Sequence, residues 1–364
     1  MPAVLCILFL LVLLCFPELC VRGAADGLAL WLFTLVPTFF PFVFLSNLMV
    51  SCGAADDISR FCGRILRPLF HVSASGAYIL LMGFLCGYPM GAKLTAEFVN
   101  TGRISGDEGC RLLTFCNNPS PMFLVGFVLS DCMQKPYSRA GTLAMFYAAP
   151  ILTGILFAGI AARKDSLFKG IAARKKTFTA KISARKSSLF SEAARRKKSF
   201  AAEIAAQKVS TKETLTLTSN AHPAAESLQP AGEPTVMEQI RASMRDAFAT
   251  LLYLGGYVIL FHIGSALILS LAGHFSSDTY PFFCLLTASL EMSGGAAYLA
   301  ASGLSAGFVN LFVPLCVIFG GFCIMAQTAG LLSGSGLTIR PCIIGKLIQT
   351  GIAAGIYLLI YLLQ

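Results

Sequence analysis

Ionisable side chains are rare inside the apolar runs of this chain, and two of them could bind a charged ligand. Glu291 lies in the apolar run of residues 285–299, which contains no basic residue, and Lys93 closes the stretch of residues 87–93. Burying a charged side chain in a membrane is costly, so such residues mark substrate or ion pathways by default. We therefore expect a functional or pairing role for Glu291. For Lys93 two interpretations stay open: it binds an anion, or it extends to a lipid headgroup.

Helix-breaking residues interrupt the apolar runs at a few points. Residues 115–121 contain two asparagines and two prolines, and a proline cannot continue a helix. Backbone groups freed at such a break, and the N-termini of half-helices, can hold a carboxylate or an ion. The predicted substrate-binding residues are Tyr88, Lys93, Asn117, Asn118, Ser120, Glu291 and Gln327. The predicted structural breaks are Pro41, Gly87, Pro89, Gly91, Pro119, Pro121, Gly294 and Gly295. Alternatively, the two asparagines only cap a half-helix.

Motifs typical of enzymes and metal sites are not found in the sequence. It contains no GxSxG, HExxH, Walker or GxGxxG pattern, and its 13 cysteines form no CxxC pair. Its four histidines are dispersed along the chain. We therefore predict no catalytic site, no metal and no cofactor, and the coupling ion stays open.

The composition defines the fold class. Apolar residues make up 56% of the 364 residues, charged residues make up 13%, and the mean hydropathy is +0.73. A soluble domain has about 25% charged residues, so an ordinary cytosolic enzyme, a disordered chain and a small disulfide scaffold are excluded. We predict an all-α, polytopic transmembrane protein with about nine membrane segments, several of them broken or re-entrant. Residues 56–71 are predicted to form an amphipathic helix at the membrane surface, because three arginines recur there at helical spacing.

The apolar sequence divides into two membrane halves, residues 1–162 and residues 246–364. Each half contains three interruptions in the same order, about 200–215 residues from their counterparts. The pairs are Pro41 with Gly255, Gly87 with Glu291, and Asn117 with Gln327. We interpret the halves as two pseudo-repeats. Broken helices at matching positions of two halves are the sequence signal of a transporter site.

A basic insert of residues 163–245 separates the halves and accounts for the net charge of +10. Residues 163–213 carry 15 Lys and Arg but only 4 Asp and Glu, within an 11-residue repeat that returns the same helix face in each copy. One interpretation is a helix lying on an anionic lipid surface through residues 162–216; the other is a solvated linker. Because the charge is local, we expect no nucleic-acid partner. Positive loops favour the cytoplasmic side, where we place the insert.

At its breaks the chain resembles the sporulation integral membrane protein YlbJ family, which belongs to the wider group of nucleoside-recognition or Gate-domain membrane proteins. The resemblance rests above all on GYPMGAKLT at residues 87–95 and FCNNPSPMF at residues 115–123. Smaller matches include Gly255-Gly256 and Ala326-Gln327. It covers about residues 28–160 and 240–363. The 11-residue repeats are a departure from the family.

This resemblance implies an integral protein of the bacterial cell membrane that exports dipicolinic acid, a pyridine dicarboxylate, across the outer forespore membrane of endospore formers. A looser similarity to concentrative nucleoside transporters implies a nucleoside or nucleobase as the alternative substrate on the same fold. A third hypothesis is a membrane scaffold without transport, whose basic repeats bind lipid or a partner. Besides the small-molecule substrate and the bilayer, a second copy of the chain stays open as a partner.

The two substrate classes would use different residues. A dianion would contact Lys93 and the half-helix N-termini near Asn117 and Ser120. A nucleoside would form hydrogen bonds with the side chains of Asn117, Asn118, Glu291 and Gln327.

Overall fold

The computed structural model describes residues 2–133, 139–163, 235–275 and 277–362 of the chain. Over these residues the secondary structure is helical, and no β-strand is present. Among the described residues, five helices are long and apolar enough to cross a membrane, and a sixth span results if a helix pair bent by 93° is counted as one. The all-α polytopic fold is confirmed. The nine predicted membrane segments included broken or re-entrant ones, and three apolar helices of the described residues are indeed only 10–17 residues long.

The helices fall into two groups along the chain. The first group is α1 (Pro2–Cys15), α2 (Pro17–Leu30), α3 (Val36–Ser51), α4 (Ala54–Phe70), α5 (Ala74–Cys86), α6 (Met90–Asn100), α7 (Gly106–Leu112), α8 (Pro121–Cys132) and α9 (Arg139–Arg163). The second group is α10 (Val236–Ala272), α11 (Tyr280–Leu290), α12 (Met292–Ala301), α13 (Ala306–Phe319), α14 (Gly321–Leu331) and α15 (Arg340–Leu362).

Both groups repeat one pattern of a long helix, two broken helices and a further span. The first half has breaks between α5 and α6 and between α7 and α8, and the second half has breaks at Glu291 and Gly320. Corresponding breaks lie about 200 residues apart. Two predicted positions are wrong. Gly255 lies inside the uninterrupted α10, and the last break occurs at Gly320 rather than at Gln327, which lies within α14.

The predicted break at Pro41 is also wrong, because α3 continues through this residue. A π-helical turn, Trp31–Leu35, joins α2 to α3 just before Pro37. Such a turn contains one more residue than an α-helical turn, and the distortion of the helix therefore lies before the two prolines. The turn projects Trp31 onto α10, where its indole Nε1 donates to the carbonyl of Leu251 at 2.9 Å. A side chain at Gly255 would collide with this ring, with its Cβ 2.6 Å from Trp31 Cε2. Gly255 is therefore needed for helix packing.

Helix α4 is amphipathic, as its sequence predicted. Its exposed face carries Phe61 and Ile65, which are 77% and 69% exposed, whereas Ala55 and Gly63 are buried against the fold. The 93° bend between α4 and α5 turns α4 across the direction of the next helix. This orientation agrees with a surface helix, and its position at a membrane surface stays a prediction.

Residues 1–159 and 235–364 form one compact unit, and residues 160–234 form another, of which only residues 160–163 are described. The predicted amphipathic repeats therefore lie outside the described residues. Thr235 and Glu238 form a capping box: the Thr235 hydroxyl accepts from the Glu238 backbone N–H at 3.3 Å, and the Glu238 carboxylate accepts from the Thr235 N–H at 2.8 Å. Helix α10 thus begins ten residues before the start predicted for the second half.

We expect Gly345→Ala to destabilise the fold and Gly351→Ala to leave it intact. Both glycines lie on α15, but a Cβ at Gly345 would overlap the backbone of Thr114, whereas one at Gly351 meets nothing within 4 Å. Overpacking at a rigid contact costs about 1–3 kcal/mol. Thermal unfolding in detergent should show a lower melting temperature for Gly345→Ala only. Equal melting temperatures for the two variants would contradict the close contact between α15 and the break that contains Thr114.

Candidate functional site

The first helix break brings Tyr88 into contact with the other half of the protein. Gly87 has a φ of +85°, a left-handed conformation that favours glycine, and its Cβ position would lie 2.7 Å from the Ser120 backbone nitrogen. The following Tyr88–Pro89 peptide is cis. The buried Tyr88 hydroxyl lies 3.1 Å from the Val317 carbonyl and 3.0 Å from the Ile318 carbonyl, next to the break at Gly320. The break at Gly87, the break that contains Ser120 and the break at Gly320 therefore lie close together around Tyr88.

The second break holds two asparagines with incomplete hydrogen bonding. Asn117 Nδ2 donates to Thr328 Oγ1 at 3.2 Å, and Asn118 Nδ2 donates to the Phe115 carbonyl at 2.7 Å. Their Oδ1 atoms are buried and have no hydrogen-bond partner in the part of the chain that the structure describes. Such an unpaired acceptor costs about 1–3 kcal/mol, so both oxygens are suited to a donor on a ligand or a water. The N-cap of α8 is Ser120 rather than either asparagine, because the Ser120 hydroxyl accepts from the Phe123 N–H at 3.2 Å.

The third break is Glu291 itself. Its carboxylate accepts from the backbone N–H groups of Ser293 at 3.0 Å and Gly294 at 2.6 Å, which caps α12 and places a negative charge at a helix N-terminus. Its Oε2 also lies 3.6 Å from Nδ1 of His262 on α10. Gly294 and Gly295, which were predicted as break residues, lie in the first turn of α12. Gly294 provides room for the His262 ring, and Gly295 packs against Ala288.

The most buried cation in the described residues is Lys346 on α15, which we did not predict. It is 1% exposed, and its ammonium donates to Tyr88 Oη at 2.8 Å and to Gln349 Oε1 at 3.0 Å. Gln349 Nε2 in turn donates to the Thr114 carbonyl at 2.8 Å, at the second break. No Asp or Glu of the described residues lies within 4.0 Å of the ammonium. A lysine in the apolar run of α15 was the sequence signal, by the criterion that selected Glu291.

Two cavities accompany these residues. The inner cavity, of about 20 Å³, is lined by Tyr88, Glu291 and Gln327 among apolar side chains. It is large enough for a water but not for an aromatic ligand. The outer cavity, of about 500 Å³, is lined by Asn47, Lys93 and eight further residues. The inner site is therefore closed in this conformation, and binding of an aromatic ligand there requires movement.

The structure thus brings most of the predicted residues together but separates Lys93 from them. Lys93 is half-buried in the outer cavity, where its ammonium donates to Asn47 Oδ1 at 3.1 Å. Gln327 Nε2 donates to Cys323 Sγ at 3.3 Å. Within the described ranges, no three His, Cys, Asp or Glu side chains are placed to hold a metal. The arrangement can hold a polar or anionic ligand among helix ends.

Comparison with known proteins identified one relative. The chain is 27% identical over 357 residues to the sporulation integral membrane protein YlbJ of Bacillus subtilis (strain 168), and the alignment covers 94% of this chain and 78% of the relative. No family model matches the chain. No solved structure matches it. The expected nucleoside-recognition or Gate-domain membership stays a prediction.

Tyr88→Phe should destabilise the protein because the Tyr88 hydroxyl accepts a hydrogen bond from the Lys346 ammonium and lies within hydrogen-bond distance of two backbone carbonyls. Loss of a buried partner costs about 1–3 kcal/mol, and more when the remaining group is charged. We expect a lower melting temperature in detergent at a fixed scan rate. Tyr280→Phe is the control, since Tyr280 is 38% exposed. Equal melting temperatures for the two variants would show that the hydroxyl bridge is dispensable.

Proposed function

We propose that the chain belongs to the family of the sporulation integral membrane protein YlbJ, to which it is 27% identical, and that it transports a small anionic heterocycle. Dipicolinic acid, moved across the outer forespore membrane during sporulation, is the proposed substrate. The proposal combines the family with the buried polar cluster at the helix breaks. Neither an apolar core nor a simple membrane anchor requires such a cluster.

The buried ammonium of Lys346 is the observation that carries the proposal. A cation inside a membrane protein is costly unless it is paired, and here its partners are neutral oxygens rather than a carboxylate. A carboxylate of the substrate would supply the missing negative charge. Since Tyr88 and Gln349 connect the ammonium to three breaks, substrate binding at Lys346 would act directly on the helix ends.

The outer cavity is the proposed approach to this site. It lies beside the end of α3 and the beginning of α10, where the hydroxyls of Ser51 and Ser243 are 3.2 Å apart. Lys93 is the cation in this cavity, together with the carboxylates of Glu97 and Asp246. We propose that Lys93 meets the anion first and that Lys346 binds it after the inner site opens.

The arginine distribution supports a cytoplasmic location for the outer cavity. Arg103, just before α7, pairs with Asp56, and Arg111 in the last turn of α7 donates to the His71 carbonyl at 3.1 Å, so the arginine-rich α4 and α7 lie at the same end. Arg241 and Arg245 belong to the first turns of α10, near the same cavity. By the positive-inside rule we assign this end, and with it the insert that precedes Thr235, to the cytoplasm.

A nucleoside or nucleobase is the second candidate substrate, favoured by the unpaired Oδ1 atoms of Asn117 and Asn118. These acceptors match the N–H donors of a nucleobase better than they match a carboxylate. Competition in proteoliposomes separates the candidates. If the site is specific for the anion, excess uridine or adenosine should leave dipicolinate uptake unchanged. If the site also binds nucleosides, they should compete with dipicolinate and lower its uptake.

The function is tested in a spore former that lacks its own copy of this protein, with and without this chain. Dipicolinate is measured separately in spores and in mother cells. Restored spore dipicolinate with an unchanged total is the expected result. A stably inserted chain that leaves dipicolinate in the mother cell would overturn the assignment of the substrate.

Lys346→Met and Lys93→Met should differ in their effects on dipicolinate uptake by proteoliposomes. Removing the charge that binds the anion should lower uptake by Lys346→Met at least about tenfold, whereas Lys93→Met should raise the KM severalfold with a smaller change in maximal rate. Initial rates over a range of dipicolinate concentrations provide the comparison. Full activity of Lys346→Met would contradict the role proposed for its ammonium.

Replacing residues 163–235 by a short flexible linker separates the transporter from a scaffold. If the protein is a transporter, the variant should keep dipicolinate uptake within about twofold of the wild-type rate. The buried polar residues at the helix breaks, including Lys346, all lie outside the replaced segment. A scaffold that acts through the basic repeats should fail to support sporulation. Loss of uptake in a stably inserted variant would favour the scaffold.

A further inference from the structure

A histidine on α10 faces the Glu291 carboxylate in the middle of the fold, and the proposed function does not use it. His262 is buried, and small residues of two helices enclose its ring. A Cβ on Gly27 of α2 would lie 2.8 Å from His262 Cβ, and one on Gly294 of α12 would overlap His262 Nε2. Both glycines therefore hold the imidazole beside Glu291, with 3.6 Å between His262 Nδ1 and Glu291 Oε2.

The hydrogen bonds indicate how this pair can carry a proton. His262 Nδ1 lies 3.1 Å from the Val258 carbonyl, which can only accept, so Nδ1 carries the hydrogen. In the neutral ring the lone pair then belongs to Nε2, which faces Gly294. Both oxygens of the Glu291 carboxylate accept from backbone N–H groups, of Ser293 and of Gly294. The pair therefore has a net charge of −1, and a proton on Nε2 makes it neutral.

We propose that His262 and Glu291 form the proton-binding site that couples transport to a proton gradient; this inference rests on the proposed transport function. A proton from water on one side of the membrane adds to the Nε2 lone pair. The resulting imidazolium is paired with Glu291. The same proton leaves Nε2 to water on the other side, so no bond to the substrate forms and no oxidant or reductant is needed.

Charge balance explains why the proton would favour binding of an anion. Tyr88 and Glu291 line the same inner cavity, and Lys346 donates to Tyr88. One ammonium and one carboxylate give this core a net charge of zero while His262 is neutral. Protonation of His262 changes the net charge to +1, which attracts an anion into a region of low dielectric. Anion and proton would therefore bind together.

Other titratable groups surround the pair in the described residues. Tyr298 of α12 and Cys323 of α14 interact electrostatically with Glu291, and Asp26 of α2 interacts with Tyr298. Tyr88 approaches from the first break. Among these groups only His262 and Glu291 form a close acid–base pair, which is why the proton is assigned to His262.

The test uses proteoliposomes that contain the full-length protein, with labelled dipicolinate outside and a pH-sensitive dye inside. For the wild-type protein we expect an inward proton gradient to raise initial uptake severalfold. Without a gradient, added dipicolinate should drive protons inward. Labelled dipicolinate is also exchanged for internal unlabelled dipicolinate, a reaction that needs no net proton movement.

His262→Gln is compared with His274→Gln through the ratio of gradient-driven uptake to exchange. His274 is the matched control: its Nδ1 also lies close to the carbonyl four residues earlier, at 3.2 Å, but it is exposed and follows the end of α10. If the proton and the substrate are coupled with a typical free energy, the ratio of gradient-driven uptake to exchange should fall about tenfold or more for His262→Gln. The same ratio should stay unchanged for His274→Gln.

Each outcome decides between the two proposals. Wild-type uptake without proton movement overturns the coupling and leaves the transport function standing, as does a normal ratio for His262→Gln. Absence of both uptake and exchange in the wild type overturns transport and coupling together. If His262→Gln does not insert, the wild-type proton flux and the ratio for Glu291→Gln decide. A normal ratio for Glu291→Gln would exclude the pair as the coupling site.

Discussion

A helix that stops inside a bilayer leaves backbone groups that no solvent can satisfy, and this constraint organises the whole molecule. The Tyr88 hydroxyl is the clearest response to it, because it lies within hydrogen-bond distance of the Val317 and Ile318 carbonyls and accepts from Lys346. Ser120 and Glu291 satisfy the amides that open α8 and α12. Most of the buried polar side chains near the breaks are therefore explained by the backbone groups that they satisfy.

The charged groups of this region have both signs but do not neutralise each other in a direct ion pair. Lys346 has neutral partners, Glu291 has backbone amides and a histidine, and Asn117 and Asn118 each retain an unused acceptor. A fold selected for stability alone would replace such groups with apolar side chains of similar size. Their retention in one connected region, next to a cavity too small for a ligand, fits a site that opens and closes around a charged molecule.

The sequence predicted the parts of this arrangement that depend on residue type and not those that depend on packing. Proline, asparagine and an isolated carboxylate in apolar runs reveal the breaks at residues 87–89, 113–120 and 291. Pro41 was predicted as a break but lies inside α3, because a π-helical turn before it accommodates the distortion. That turn is visible only in the three-dimensional path of the helix. Lys346 lies in an apolar run of the sequence, so the criterion that selects Glu291 also selects Lys346. His262 could not be paired with Glu291 from sequence, because their contact depends on two glycines from different helices.

The two halves complete each other, and this has an evolutionary consequence. Tyr88 of the first half meets carbonyls of the second, and Gln349 of the second half meets Thr114 of the first. Because the acceptors are backbone carbonyls, these bonds place no demand on the side chains of Val317, Ile318 and Thr114, but they are lost when Tyr88 or Gln349 is replaced by an apolar residue. Evolutionary constraint from these bonds therefore falls on the two donor side chains, one in each half.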